Sequence, residues 1–497
     1  MVECFTQELA AQKQRTPPPT LRYIARLRKP QEPHHAKAGN LNHAIALTSG
    51  DYLLVLDCDM VASPEILLAL MPHFYRVDDA TAAAAAAAEA ACSTVIDESM
   101  AMVQSPQAFS NTLPGDPLNN NSPLFYHVIV PGWDGWKAAP CCGTNVIFSR
   151  KALKSIGNFT YGSVTEDFLT SLTLKAAGYR TAYVDEVLAV GLAPEGLDSF
   201  FGQRLRWAVG GLQIFRYFNP LFKVGLTWPQ RLLYAWSGGH YLLAFPLCIV
   251  LCTPFLFLLD DGSLLLTTGT VREYCWHFFP FYITHLLVAA LAHRRLGWRR
   301  GAQYLWRSQQ EPVFMLFTYM RACLVVGLGL QFGFQVTRKD GKRDDVLRDL
   351  ASAFLHLACF VIGTACVVTG ALQMCEQAMG HDLRLAYLVN MCWASLVLCG
   401  LWPPIGQFWG VPVPGTKGLT CPAFPWRISI VRRGGYEAIP DAVAATAAAA
   451  AADTSMGLEE GRAVGEGYGA ATALPQEEGA KPNTEEVVRV TVVQGSQ

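Results

Sequence analysis

The sequence predicts an α/β domain with a doubly wound sheet, followed by interfacial helices and a region of four membrane-crossing helices. Three observations predict it. Tyr52–Met60 (YLLVLDCDM) is an apolar run that ends on two carboxylates, Asp57 and Asp59, the pattern of a strand covered on both faces. Between about residues 35 and 190, short apolar runs alternate with helical patterns and Gly or Pro breaks. Beyond Arg231, apolar runs at about 232–259, 274–293, 349–373 and 385–402 each approach the ~20 residues that cross a bilayer.

Composition agrees with this division. The 497 residues are 51% hydrophobic and 16% charged, with a mean hydropathy of +0.22. That is too apolar for a purely soluble protein and too mixed for a pure membrane bundle. A net charge of −1 gives no global field for nucleic acid. The fifteen cysteines follow no paired or metal-type spacing, and Cys248, Cys252, Cys359, Cys366 and Cys392 lie inside apolar runs. They read as reduced thiols that pack as small hydrophobes. Residues 1–20 form a polar lead-in with no signal-peptide core.

Taken in order, Leu21–Leu27 suits a short strand, and a helix is expected from about Leu41 to Thr48, with Gly50 as a left-handed cap. With the strand at Tyr52 this makes a βαβ unit. Lys37 then stands just before a helix N-terminus, where charge and free N–H groups can meet a phosphate; a solvated turn lysine is the alternative. Ser63-Pro64-Glu65 starts a helix expected to reach about Tyr75. Residues 78–92 are an Ala-rich insertion. Apolar pattern resumes at 93–95 and 102–109, a strand is expected over Asn145–Phe148, and Glu166 and Asp167 begin a helix that Gly178 ends. TAYVDEVLAV (181–190) reads as one strand. Residues 198–218 form an amphipathic helix. Phe200, Phe201, Trp207, Ile214, Phe215 and Phe218 are expected toward lipid, with Arg204, Arg206 and Arg216 toward headgroups or a site.

A further apolar stretch at about 311–333 is interrupted by Arg321 and flanked by Glu311, so it reads as interfacial or protein-covered. Loops carrying Arg294, Arg295, Arg299, Arg300, Arg338, Lys339, Lys342 and Arg343 contrast with acidic ones carrying Asp260, Asp261, Glu273, Glu376 and Asp382. The positive-inside rule puts the globular domain and basic loops in the cytoplasm. An Asp-x-Asp pair at a strand end can hold a hard cation such as Mg²⁺, or end as two solvated carboxylates.

HAKAGNLN (35–42), DCD (57–59), VQSPQAF (103–109), CCGTN (141–145), TED (165–167), QRLRW (203–207) and FQVTRK (334–339) occur in this order. Over residues 20–402 the chain resembles the processive family 2 glycosyltransferases, and within them the catalytic subunit of a bacterial-type cellulose synthase. The resemblance implies a GT-A-like sheet that lacks its first strands, over 21–197. Interfacial helices at 198–230 would follow, then a membrane region at 231–403 with an interfacial segment at 301–333 and a gating-type loop at 334–343, and a largely disordered cytoplasmic tail at 404–497.

It also implies roles. Asp57 and Asp59 resemble the nucleotide pair, with Asp59 the ligand of Mg²⁺ or Mn²⁺; Lys37, Gln203 and Arg206 would bind the nucleotide sugar. Asp167, with Glu166 beside it, resembles the general base, for which a helix-dipole carboxylate is the alternative. Trp207, Cys142 and Gly143 would meet the acceptor, and Phe334, Val336, Thr337 and Lys339 would close over the nucleotide. The implied partners are a UDP-sugar donor, a growing polysaccharide, the lipid bilayer of a plasma membrane or Golgi, and an oligomer or other synthase subunits.

Two features depart from the family. Its uracil-contacting Asp and its earlier membrane crossings have no counterpart here, so the chain reads as N-terminally incomplete. Two functions follow: a processive inverting synthase of β-linked polysaccharide, with β-1,4-glucan ahead of mannan, glucomannan or β-1,3-glucan, or a non-catalytic partner of a complete synthase.

Overall fold

Every residue from Tyr52 to Asp57 is buried, because the strand they form is covered on both faces. In the computed structural model, residues 23–26, 35–77, 94–113, 115–260, 271–294, 298–333, 346–376, 379–409 and 490–495 are described. The lead-in, the Ala-rich insertion at 78–92, the gating-type loop at 334–343 and most of the tail lie outside them.

The strands are β1 (Tyr52–Asp57), β2 (Val61–Ala62), β3 (Tyr75–Val77), β4 (Thr94–Ile96), β5 (Met100–Gln104), β6 (Ala108–Phe109), β7 (Val146–Ser149), β8 (Arg180–Tyr183), β9 (Ala189–Gly191) and β10 (Val490–Gly495). The main sheet has the order β10-β1-β7-β5-β8. It is mixed: β7 runs against both neighbours, while β1 with β10 and β5 with β8 are parallel. Helices α1 (Ala36–Ala46), α2 (Ile66–Leu70), α3 (Val130–Gly135), α4 (Arg150–Ser155) and α5 (Glu166–Ala176) accompany it. Ala38, Leu41 and Ile45 of α1 pack with Leu53, Val55, Met102, Val146, Phe148 and Leu153 in one buried cluster.

Several expectations are corrected. Tyr23–Arg26 is irregular, and the parallel neighbour of β1 is β10, with Val490 opposite Tyr52 and Gly495 opposite Asp57. A strand edge needs partners for its N–H and C=O groups, and the β-branched run VTVV suits that place. The tail therefore contributes a strand, and its first residues, to Trp409, extend the last helix. The helix expected at Leu41–Thr48 instead spans Ala36–Ala46 and ends at Leu47, whose N–H returns to Ala44; Gly50 is not left-handed. The helix after Ser63 tightens into a 3₁₀ turn at Met71–Phe74, and Tyr75 already belongs to β3. TAYVDEVLAV is two strands in two sheets, β8 and β9, parted by the charged turn at Asp185 and Glu186.

The helix α6 (Leu197–Tyr217) exists as expected, but its apolar side does not face lipid. Phe200 and Phe201 pack against Phe314 and Met315, and Ile214 packs against Leu169, Leu172 and Tyr234. Arg204 is buried as well. Helical periodicity marks a face to be covered without saying by what. Helices α7 (Trp228–Gly239) and α8 (Ala244–Asp260) follow as one continuous 33-residue stretch. Beyond them lie α9 (Val271–His293), α10 (Trp298–Phe314), α11 (Leu316–Gly327), α12 (Val346–Glu376) and α13 (His381–Trp409). Among the described residues, four helices are long and apolar enough to cross a membrane: Trp228–Asp260, Cys275–Ala292, Val346–Glu376 and His381–Trp409. The stretch at 311–333 is protein-covered in part, since Ala322, Cys323 and Val326 of α11 pack on Leu205, Val209 and Leu212 of α6.

If β10 completes the sheet, removing residues 490–497 should speed hydrogen exchange of the Tyr52–Asp57 amides, as unpaired edge groups open to water. Unchanged exchange would show the strand to be dispensable.

Candidate active site

The carboxyl end of β1 is where charge collects. Because α1 begins at Ala36, Lys37 lies in its first turn rather than before it. From there its buried ammonium pairs with the Asp57 carboxylate and donates to the Gly143 carbonyl at 2.8 Å. Helix α1 is held in place by Asn42, whose amide donates to the Phe159 carbonyl and accepts from the Phe159 N–H, both at 2.9 Å.

Two loops are laced together beside this pair. The Asp57 N–H donates to the Thr144 hydroxyl at 2.9 Å. Gln104 accepts from the Cys142 N–H at 2.9 Å and donates to the Thr144 carbonyl at 2.7 Å, and Gln107 donates to the Cys142 carbonyl at 2.7 Å. The VQSPQAF and CCGTN segments thus form one hydrogen-bonded unit. Gly143 sits at φ +89°, and a Cβ there would stand 2.5 Å from an Asp167 carboxylate oxygen. Only glycine allows that approach.

Glu166 and Asp167 occupy the first turn of α5, and the Phe168 N–H donates to Asp167 at 2.8 Å. Burial, with the Asp167 charge second, pushes the Glu166 carboxyl up to about 7, against Lys37 and Arg206. Burial also raises Asp167, opposed by Lys37, its own backbone hydrogen bond and Arg206. For Lys37, burial pulls downward, but Asp57, Glu166 and Asp167 outweigh it and the ammonium is raised. Arg206 is lowered by burial against the attraction of the same three carboxylates. Lys37, Asp57, Glu166, Asp167 and Arg206 are therefore one electrostatic unit.

Helix α6 brings its residues here by docking on the turn before α5. Gln213 accepts from the Val164 N–H at 3.0 Å, and Ser163 donates to the Gly210 carbonyl at 3.1 Å. Gln203 is buried on this helix and Trp207 half-buried. The Arg204 guanidinium lies 4.6 Å from the centre of the Trp207 ring, within reach of the Asn119 carbonyl at 3.2 Å and the Ser122 hydroxyl at 3.3 Å. Sequence reasoning left Arg204 between headgroups and a site and did not foresee this support, as it missed Gln104, Gln107 and Thr144. Their signal was membership of the quoted motifs, with no chemistry of their own to single them out.

Asp59 lies two residues past β1, half-buried, and accepts from the Leu192 N–H at 3.1 Å. Among the described residues no three His, Cys, Asp or Glu side chains form a metal cage. With Asp57 paired to Lys37, the oxygen chemistry of Asp59 fits a hard cation that a diphosphate would share. Phe334, Val336, Thr337 and Lys339 lie outside the described residues.

The model for glycosyl transferase family 2 matches residues 10–157. The UDP-forming cellulose synthase catalytic subunit of Komagataeibacter sucrofermentans is 33% identical over 385 residues, covering 75% of this chain and 47% of its own length. The corresponding subunit of Pseudomonas fluorescens is 30% identical over 332 residues, covering 65% and 41%. A putative cellulose synthase 2 of Komagataeibacter xylinus is 36% identical over 385 residues, covering 74% and 23%. The chain thus spans less than half the length of these relatives. The model for glycosyl transferase family group 2 matches residues 135–401, more than half of the chain, and the protein accordingly belongs to the family 2 glycosyltransferases, related to the bacterial cellulose synthases.

Proposed function

We propose that the protein is a membrane-bound, processive, inverting glycosyltransferase that extends a β-linked polysaccharide, β-1,4-glucan from UDP-glucose, and passes it across the bilayer from a cytoplasmic domain. The observation that carries this reading is the single electrostatic unit of Lys37, Asp57, Glu166, Asp167 and Arg206 at the end of β1, with Trp207 next to Arg206 along α6.

Asp167 takes the proton of the acceptor hydroxyl as its oxygen bonds to the anomeric carbon. The bond from that carbon to the diphosphate breaks on the opposite side, and UDP leaves with the electron pair. The anomeric configuration inverts. A raised carboxyl suits this task, because a base is most effective with a pKa near the working pH. Arg206 and Lys37 stabilise the charge that shifts to the diphosphate. Asp59 would hold a Mg²⁺ or Mn²⁺ ion, which when bound supplies further positive charge to the leaving group. Trp207 offers the acceptor sugar a flat face while Arg204 supports it. Glu166 holds the second proton equilibrium beside the base.

Radiolabelled UDP-glucose offered to the chain in membranes should yield polymer cut by β-1,4-glucanase; polymer only from another UDP-sugar would replace glucose, and none from any would remove the synthase reading. Asp167→Asn should keep nucleotide binding and lose about 10²–10⁴-fold in transfer. Asp59→Asn should weaken cation and nucleotide binding together, and Trp207→Ala should impair chain extension with nucleotide binding nearly intact.

The acid limb of kcat/KM should lie well above the ordinary carboxylate range, since the base works only when deprotonated and the pair titrates upward. Arg206→Gln removes a cation that favours the ionised carboxyls, so the limb should move to higher pH. A limb that stays put would refute the coupling.

Gly143→Ala should lower stability by about 1–3 kcal/mol through backbone strain and displace Asp167; a variant with wild-type melting and turnover would contradict that contact.

A further inference from the structure

We propose that Asp116 and Glu311 are positioning residues of the acceptor platform: through the loop at residues 115–122 they set where Arg204, and with it the Trp207 ring, stands. This rests on the reading that Trp207 meets the acceptor sugar. The loop, GDPLNNNS, supplies no group to the proposed reaction, yet Asp116, Asn119, Asn120, Asn121 and Ser122 are all buried. Polar residues so placed need partners, and their partners show what the loop does.

Asp116 winds the loop around its own carboxylate. That group accepts from the backbone N–H groups of Asn120 at 2.9 Å and Asn121 at 2.8 Å, and from the Asn120 amide at 3.1 Å. Hydrogen bonds to an ionised acceptor are the stronger kind. They hold a backbone that is otherwise unfavourable: φ is +42° at Asp116, +55° at Asn119 and +41° at Ser122, left-handed values that cost free energy in residues other than glycine. So wound, the loop offers the Asn119 carbonyl and the Ser122 hydroxyl to α6, where both meet the Arg204 guanidinium. Arg204 in turn lies against the Trp207 ring.

Helix α10 grips the same loop from its other side. Gln303, Arg307 and Glu311 recur every fourth residue along it, so they share one face. Gln303 donates to the Gly115 carbonyl at 3.4 Å, and Glu311 accepts from the Asn119 amide at 2.7 Å. Arg307, between them on the helix, is 2% exposed; burial pulls its guanidinium down, against the attraction of Asp116. Asn119 therefore joins two helices, with its side chain on Glu311 of α10 and its carbonyl on Arg204 of α6. Leu118, beside it, is buried with Phe200 of α6 and Phe314 of α10, which ties the same three pieces by apolar contact. The seating of α10 thus reaches the Trp207 ring by a route that includes none of the charged groups at the end of β1.

The test places a fluorotryptophan at position 207 of the full chain in nanodiscs and reads its fluorine resonance together with UDP affinity and polymer length. Asp116→Ala and Glu311→Leu should each move the resonance, because the guanidinium against the ring is displaced. Each should also shorten the polymer and slow its synthesis on the order of 10–10²-fold, as misorientation does, with UDP affinity unchanged. Glu311→Gln keeps an acceptor oxygen for the Asn119 amide and should restore both resonance and polymer. A resonance that stays in place in Glu311→Leu would overturn the proposal, and so would UDP affinity that falls in step with polymer length, the mark of a merely structural role. If Asp116→Ala does not fold, Glu311→Leu decides alone, since Glu311 is only half-buried and its loss leaves the hydrogen bonds of Asp116 in place. A wild type that forms no polymer would remove the acceptor reading and this role with it, whereas polymer formation with an unmoved resonance would remove this role only.

Discussion

Three carboxylates against two cations is the constraint on which the site depends. Asp57, Glu166 and Asp167 act on Lys37 and Arg206 at close range, and Lys37, Asp57 and Glu166 are buried. Uncompensated charge in such a place is expensive. The imbalance is relieved by a carboxyl that holds its proton toward neutrality, which is the sense of the upward shift at Glu166. A diphosphate entering this corner adds negative charge, so it needs positive charge to come with it. That is the physical case for Asp59 as the ligand of a divalent ion in the proposed reaction.

The hydrogen-bonded loops explain how such a cluster holds together. Lys37 is pinned by a carboxylate and a carbonyl from two different segments, and the Asp57 backbone is tied to Thr144. Gln104 and Gln107 satisfy the polar groups of the loop that Gly143 bends toward Asp167. The polar groups of these two loops are thereby partnered by one another, which makes such networks rigid when complete and costly when broken.

How much of this was legible in the sequence differs by element. β1 was readable because its apolar run is long, unbroken and ends on charge, and α5 because Glu166, Asp167 and Gly178 mark its two ends. The start of α1 was not, since Gly39 and Asn40 weaken the local helical pattern that packing of Ala38 and Leu41 restores. The covering of α6 was hidden for a different reason: periodicity gives the apolar face, and lipid and protein satisfy it equally. The partner of β1 lay furthest from reach, because β10 pairs across more than four hundred residues and no local signal links the two. Of the candidate site, the motifs name their residues one by one; the support given by Arg204, Gln104 and Thr144 exists only in three dimensions.

The docked helix has a consequence for how donor and acceptor meet. Arg206 and Trp207 are consecutive, so on a helix they project about 100° apart, the one toward the carboxylates and the other onto the Arg204 support. In the proposed reaction a single rigid element would thus carry both a cation for the leaving group and a platform for the acceptor. Because α6 is fixed to the turn before Asp167 by Gln213 and Ser163, any shift of the helix moves all three groups together. Their spacing thus depends on two side-chain-to-backbone hydrogen bonds as well as on the helix itself. Orientation of reacting groups is a large contribution a site can make, and in the proposed reaction that orientation would follow from one helix seated on one turn.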